Sequence, residues 1–383
     1  MRPPILWSLR IRNFKGIRDS GSLRLTPLTV LIGNNGSGKS SVLEGLETVQ
    51  RCVEENIDAA LQMWRGIEHV RNKTRQLQIK TSPAGELRST KPIVFHLSGR
   101  FQRKRFRAET CWNERGAENE LFFEKETVRF GGMQREREGN KAHTTGAEDT
   151  RTLTLPGGES LLNVDLGDYI KGWQFLTLWP QAMGSPTPQT RSRGRIRLAK
   201  DGANIAEFLL DIRALKAGAF DGIVETLRTV LPYAADVQPA VTSELERTVY
   251  LQLTEGDFKV PGWLLSSGTL RILALLALLR HPTPPPLIAV EEIENGLDPR
   301  TVHLLIEEIR VAVESGRTQV VATTHSPYLL DLLPLSSLVL VDRVEGELRF
   351  TRPADSEEVQ EWAKSFAPGQ LYTMNRLHRE ARP

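Results

Sequence analysis

Residues 28–47, LTVLIGNNGSGKSSVLEGLE, constrain this chain more than any other stretch. Leu28, Val30, Leu31 and Ile32 form a short apolar run with the character of a buried strand. It leads into Gly33-Asn34-Asn35-Gly36-Ser37-Gly38-Lys39-Ser40, which satisfies the pattern G-x-x-x-x-G-K-[ST]. Val42, Leu43 and Leu46 then recur at helical spacing. Strand, glycine loop and helix is the context in which this pattern cradles a polyphosphate. Glycines at 33, 36 and 38 free the backbone for positive φ and for close approach to phosphate oxygens. Backbone N–H groups converge there, at the positive end of a helix that begins near Lys39. Lys39 is expected to reach the β- and γ-phosphates, and Ser40 to hold Mg²⁺ through its hydroxyl. A glycine turn with a chance Lys-Ser is the competing account, and the flanking strand and helix weigh against it.

The carboxylates that such a loop needs are found far along the chain. Leu287 to Val290 is wholly apolar and runs into Glu291-Glu292-Ile293-Glu294-Asn295-Gly296-Leu297-Asp298-Pro299. An apolar strand that ends in acidic residues is where Mg²⁺ and the attacking water are handled in phosphoryl transfer. Glu291 is therefore assigned to the Mg²⁺ shell and Glu292 to polarising the water. In a parallel sheet both are expected close to Ser40. The next apolar strand, residues 319–323, ends at Thr324-His325-Ser326-Pro327, and the His325 imidazole is a candidate contact for the γ-phosphate.

Composition narrows the class. With 383 residues, 39% apolar and 25% charged, the chain suits a soluble protein of two or three domain-sized units. A net charge of +3 does not by itself argue for nucleic acid. Cys52 and Cys111 stand alone, so neither a disulfide framework nor a cysteine zinc site is expected. The arginine-bearing start lacks a signal-like apolar region, and the apolar run 272–279 is too short for a membrane span. A cytoplasmic protein without membrane contact is expected.

Between these landmarks, residues 5–13 alternate like a strand, and residues 22–25 read as a second. Residues 93–97 and 120–130 suggest β-hairpins, whereas 135–150 are so polar that a mobile loop is expected. Arg100, Arg103, Lys104, Arg105 and Arg107 alternate with Phe101 and Phe106, a pattern able to track a phosphate backbone. A solvated strand face balanced by nearby glutamates is the alternative. Arg191, Arg193, Arg195, Arg197 and Lys200 form a second basic run, expected on one face of a strand. DNA, a partner's acidic surface, or a charge-blunted sheet edge would each account for it. A helical region is expected from 201 to 231, and no sustained heptad repeat announces a coiled-coil arm. Residues 264–271, LLSSGTLR, lead into the apolar helix 272–279, and a short strand at 337–341 precedes a polar tail. Strands alternating with helices predict an α/β fold with a largely parallel sheet.

Phosphate loop, Ser-Ser-Gly-Thr-Leu-Arg, acidic pair, Leu-Asp-Pro and Thr-His-Ser-Pro, in that order, resemble an ABC-type ATPase head of the RecF, SMC and OLD group. The Asn13-Phe14-Lys15 that follows the first strand is similar to the start of such heads. The resemblance covers residues 1–50 and 170–375. It implies a RecA-like, mostly parallel sheet, an antiparallel β lobe and a helical signature lobe. The implied domains are a nucleotide-binding core at 1–55 and 262–383, a β-rich charged insertion at 56–150, and the helical lobe at 151–261. It also implies ATP and Mg²⁺ as cofactors and a homodimer, or a higher oligomer, that sandwiches ATP. Ser266, Ser267 and Gly268 would touch the partner copy's γ-phosphate, Asp298 would couple the two sites, and Gln181 would supply the glutamine loop. Glu291 and Leu-Asp-Pro depart from the Asp and Leu-His-Pro more usual in this group. The stretch after Pro327 is too short for the nuclease domain of the OLD nucleases, so no nuclease is expected here. Stand-alone heads of this kind resemble ATPase subunits of anti-phage systems, which act with a separate nuclease or toxin. A DNA-repair ATPase and a nucleotide-gated scaffold with little turnover are the alternatives.

Overall fold

The computed structural model describes residues 4–377, apart from 74–78, 82–86, 90, 116–119, 139–140, 146–151, 155–157, 191–195 and 243–245. The chain divides into two compact units. One comprises residues 1–173, 335–366 and 374–383, and the other residues 174–334 and 367–373.

The first unit is built on an antiparallel sheet. Its strands run in the order Thr152–Thr154, Lys141–Thr145, Met133–Glu138, Glu120–Phe130, Lys104–Arg115, Ile93–Phe101, Ile5–Phe14 and Ile17–Asp19. Strict alternation gives this sheet two unlike faces. Leu9, Ile11, Phe95, Leu97, Phe106 and Trp112 lie on the buried one. The helix Lys39–Glu54 lies against that face, with Gly45 so near Ile11 that a Cβ there would meet Ile11 Cδ1 at 2.7 Å. A second helix, Leu161–Lys171, is tied to the first because the Gln50 amide donates to the carbonyls of Ile170 and Trp173. The wholly buried strand Leu28–Ile32 pairs in parallel with Leu338–Val344, which pairs antiparallel with Glu347–Thr351.

The second unit contains three parallel strands, with Leu287–Val290 between Gln174–Leu176 and Gln319–Thr324. All three are buried along their length, as parallel strands covered on both faces must be. The helix Ser267–Leu279 is apolar nearly all round and buries ten of its thirteen residues. A separate antiparallel sheet joins Thr187–Pro188, Asp236–Val241, Thr248–Glu255 and Phe258–Pro261.

An α/β fold with parallel strands, an antiparallel β lobe and a helical lobe is thus what forms. Five local expectations need correction. Residues 135–145 are not a loop: Met133–Glu138 and Lys141–Thr145 are strands, while 139–140 and 146–150 lie outside the described residues. Their charged alternation hides one buried pair, since Arg137 and Glu126 are 3% and 0% exposed and 3.5 Å apart. The helical region 201–231 is two helices, Ile205–Leu215 and Ala217–Val230, broken where Lys216 turns extended. The signature helix starts earlier than expected, at Ser267. The C-terminal tail is ordered into the strand Glu347–Thr351 and the helices Glu357–Trp362 and Pro368–Thr373. Of the second basic run, Arg191, Arg193 and Arg195 lie outside the described residues, and 196–199 form no strand.

Candidate functional site

The phosphate loop belongs to the first unit. Gly36 and Gly38 take φ of +73° and +90°, in the left-handed region where glycine is at home. Gly33 does not, so its requirement is different from the one expected. A Cβ there would lie 2.1 Å from the Val341 carbonyl oxygen, so the loop can leave its strand only with glycine at this point. Asn34, Asn35 and Gly36 are exposed, and Ser37 closes the turn by donating its N–H to the Asn34 carbonyl at 3.1 Å. The Ser37 hydroxyl is buried with no partner among the described residues.

Lys39 opens the 16-residue helix Lys39–Glu54. Its side chain bends back over the loop, where Nζ donates to the carbonyls of Gly33 at 2.7 Å and Asn34 at 3.0 Å. Ser40 follows, exposed on the first turn. That turn carries no acidic side chain and no side-chain cap, so its positive end favours an external anion. Glycine cradle, orphaned hydroxyl, bent lysine and uncapped N-terminus together fit a nucleotide polyphosphate.

The remaining site residues fall in the second unit. Glu291 ends its strand with its N–H on the Leu176 carbonyl, and its carboxylate accepts from the Thr177 hydroxyl at 3.2 Å. Glu292 is exposed and has a φ of +46°, unusual for a residue with a Cβ. The Thr323 hydroxyl accepts its N–H at 2.9 Å and Asn295 donates to its carboxylate at 3.2 Å, which holds the turn in that conformation. A strained residue fixed from two sides at a strand end is a common feature of catalytic positions. Arg271, on the helix Ser267–Leu279, is close enough to feel the charge of Glu292.

Glu294 accepts the backbone N–H of His325 at 2.8 Å, which joins the acidic turn to the end of the next strand. The imidazole of His325 has no partner among the described residues. Ser266 caps the helix that follows it, its hydroxyl accepting the Thr269 N–H at 3.1 Å. Gly268 packs so closely on the acidic turn that a Cβ there would lie 2.6 Å from the Gly296 carbonyl oxygen. Asp298 caps the helix Pro299–Glu314 by accepting from the N–H groups of Arg300 and Thr301 and from the Thr301 hydroxyl. The Thr301 hydroxyl foremost, with those N–H groups, holds the Asp298 carboxyl below its ordinary range.

Residues 266–268, 291–298 and 325 are thus gathered within one unit. Among the described residues, no hydrogen bond or ion pair joins Gln181 to them. It lies exposed on the short helix Pro180–Met183, where its carbonyl accepts from the Ser185 hydroxyl. Glu294, Thr323 and Arg271 escaped the sequence reading. Glu294 carried a signal, as the third carboxylate of Glu-Glu-Ile-Glu, but only the fold shows its contact with His325. Outside the site, Arg100–Arg107 span a hairpin whose turn residues, Gln102 and Arg103, both have positive φ.

A protein family described as "AAA domain, putative AbiEii toxin, Type IV TA system" matches residues 174–331, and one described as "AAA ATPase domain" matches residues 5–91. No curated protein matches the chain. Among solved structures, an SMC head bound to the C-winged helix domain of ScpA is similar, with a TM-score of 0.55 at 13% identity over 91% of this chain and 97% of that one. An Smc head domain with an extended coiled coil, bound to the C-terminal domain of ScpA derived from Pyrococcus furiosus, gives 0.53 at 10% identity over 94% and 100%. At such identities the likeness is one of fold.

Proposed function

We propose that the chain is an ATPase head of the ABC/AAA type, of the SMC and RecF kind, which binds and hydrolyses ATP in dimers that close around the nucleotide. The observation that carries this is the completeness of the phosphate loop, with Gly36 and Gly38 left-handed and feeding an uncapped helix. Its N–H groups and Lys39 bind and orient the β- and γ-phosphates. Glu292 orients the attacking water and takes its proton, and His325 donates to the γ-phosphate. Mg²⁺, held by the Ser40 hydroxyl and the Glu291 carboxylate, would offset charge developing on the phosphate oxygens. Ser266, Ser267 and Gly268 of a second copy close the open side of the γ-phosphate and exclude water. Asp298, beside that turn through Gly296, couples the two sites, and Gln181 completes the nucleotide contacts.

We further propose that nucleotide state governs a separately encoded effector, a nuclease or toxin in anti-phage defence, and that DNA is the signal. The hairpin turn supports DNA contact, because Arg103 and Lys104 are exposed at its tip. The SMC heads of the same fold hold ScpA domains, which supports a protein partner for this head too. The test is ATP hydrolysis by the wild type and by Glu292→Gln, each with and without duplex DNA. Turnover by the wild type, raised by DNA, is expected, with a loss of about 100-fold or more in the variant while ATP still binds. Background hydrolysis by both proteins would replace this function with a nucleotide-gated scaffold. Stimulation confined to gapped or junction DNA would favour a repair ATPase.

A further inference from the structure

We propose that the outer face of the antiparallel sheet in the first unit binds a phosphomonoester of about nucleotide size, at a site separate from the phosphate loop. Register sets the geometry. Ser8 pairs with Ser98, Ser98 with Arg107, and Arg107 with Arg129, so these four side chains form one row across four strands. Arg107 and Arg129 are both exposed, and neither side chain makes a hydrogen bond, ion pair or ring contact with another described residue. Two like charges directly opposite on neighbouring strands destabilise a sheet unless something offsets them. No carboxylate among the described residues is ion-paired with either. A phosphate bridging the two guanidinium groups would offset them, since each fork can present two parallel N–H donors to its oxygens.

The row forms part of a concavity of about 600 Å³, large enough for a mononucleotide. Its serine end is already organised, with the hydroxyls of Ser8 and Ser22 hydrogen-bonded at 2.8 Å. The adjoining row of the sheet carries His96, Glu109, Thr127 and Glu136. Glu109 is neutralised by Lys125 at 3.2 Å and faces His96 at 3.3 Å. A long polyanion laid across this face would meet Glu109 and Glu136. A single phosphate on the arginine pair leaves those carboxylates to accept from hydroxyl or amino groups on the rest of the ligand. The mixture of charge therefore favours a compact phosphomonoester over nucleic acid.

The test is calorimetric titration of the full chain, its phosphate loop saturated with ADP and Mg²⁺, using inorganic phosphate and adenosine 5′-monophosphate. One equivalent of each is expected to bind, the monophosphate more tightly. Arg107→Gln/Arg129→Gln should weaken both by about tenfold or more. Lys39→Ala, and Arg12→Gln on the same face outside the concavity, should leave both unchanged. In phosphate-free buffer the double variant should melt no lower than the wild type, because a repulsion has been removed. Arg129→Gln alone serves if the double variant unfolds. Absence of saturable binding, binding equal in the double variant, or loss in Lys39→Ala alone would each overturn the proposal. So would displacement of both probes by single-stranded DNA with a steep salt dependence.

Discussion

Asp298 shows how one carboxylate can have two roles that experiment can separate. It caps the helix Pro299–Glu314 through three hydrogen bonds. Asp298→Ala should therefore cost about 1 kcal/mol of stability, read from a denaturation midpoint. Asn caps nearly as well, so Asp298→Asn should leave stability at neutral pH almost unchanged. If the charge also couples two nucleotide sites, Asp298→Asn should still lower turnover. The pH dependence follows from the sign of the shift. The folded-state carboxyl is held below its ordinary value, so the unfolded chain binds the proton more readily. The stabilisation is full above about pH 4 and fades as pH falls through the depressed value. Acid titration of stability should be shallower in Asp298→Asn than in the wild type. Equal slopes would remove this group from the acid response.

At the scale of elements, the strands 133–145 depend on a pair that sequence alone conceals. Glu126 accepts from the Ser160 hydroxyl at 2.5 Å and from the Leu161 N–H at 2.9 Å, so it anchors the start of the helix Leu161–Lys171. Arg137 lies directly opposite it on the neighbouring strand Met133–Glu138 and 4.5 Å from the Phe123 ring. Burial pushes the Glu126 carboxyl up, against the pull of those N–H and hydroxyl donors and of Arg137. Arg137→Met would leave that carboxylate with no opposing charge, and should cost about 3–5 kcal/mol. Adding Glu126→Gln should recover part of the loss. Urea midpoints of the three chains settle the matter, and a double variant no better than the single one would show that packing, not charge, dominates. The sequence made the phosphate loop, the strand before the acidic pair and the His325 turn legible, because each is a local chemical pattern beside a buried strand. It could not show residues 133–145 as strands, since Arg-Glu alternation looks polar on both faces until Glu126 is placed opposite. The Lys216 break was equally hidden, because apolar spacing continues through it. Nor could spacing pair Arg107 with Arg129, which depends on register between strands.

At the scale of the whole molecule, the phosphate loop is in one compact unit and the signature turn and acidic residues are in the other. Both units are assembled from separate stretches of chain, so neither can be cut out as a continuous segment to test its role. Complementation between intact chains avoids the difficulty. Lys39→Ala removes the phosphate-loop cation while leaving the signature turn untouched. Ser267→Arg puts a bulky charged side chain on the exposed signature turn while leaving the loop untouched. Each chain alone should be inactive. If a working site takes its loop from one copy and its turn from another, a mixed dimer has one site with both parts intact. Random pairing of equal amounts makes half the dimers mixed, each with one of its two sites working. The mixture should then recover about a quarter of wild-type turnover, as two-fold symmetry requires. Recovery should also rise with protein concentration as dimers form. A mixture as inactive as its components, at concentrations where ATP-bound Glu292→Gln elutes as a dimer, would place both parts of each working site on the same copy.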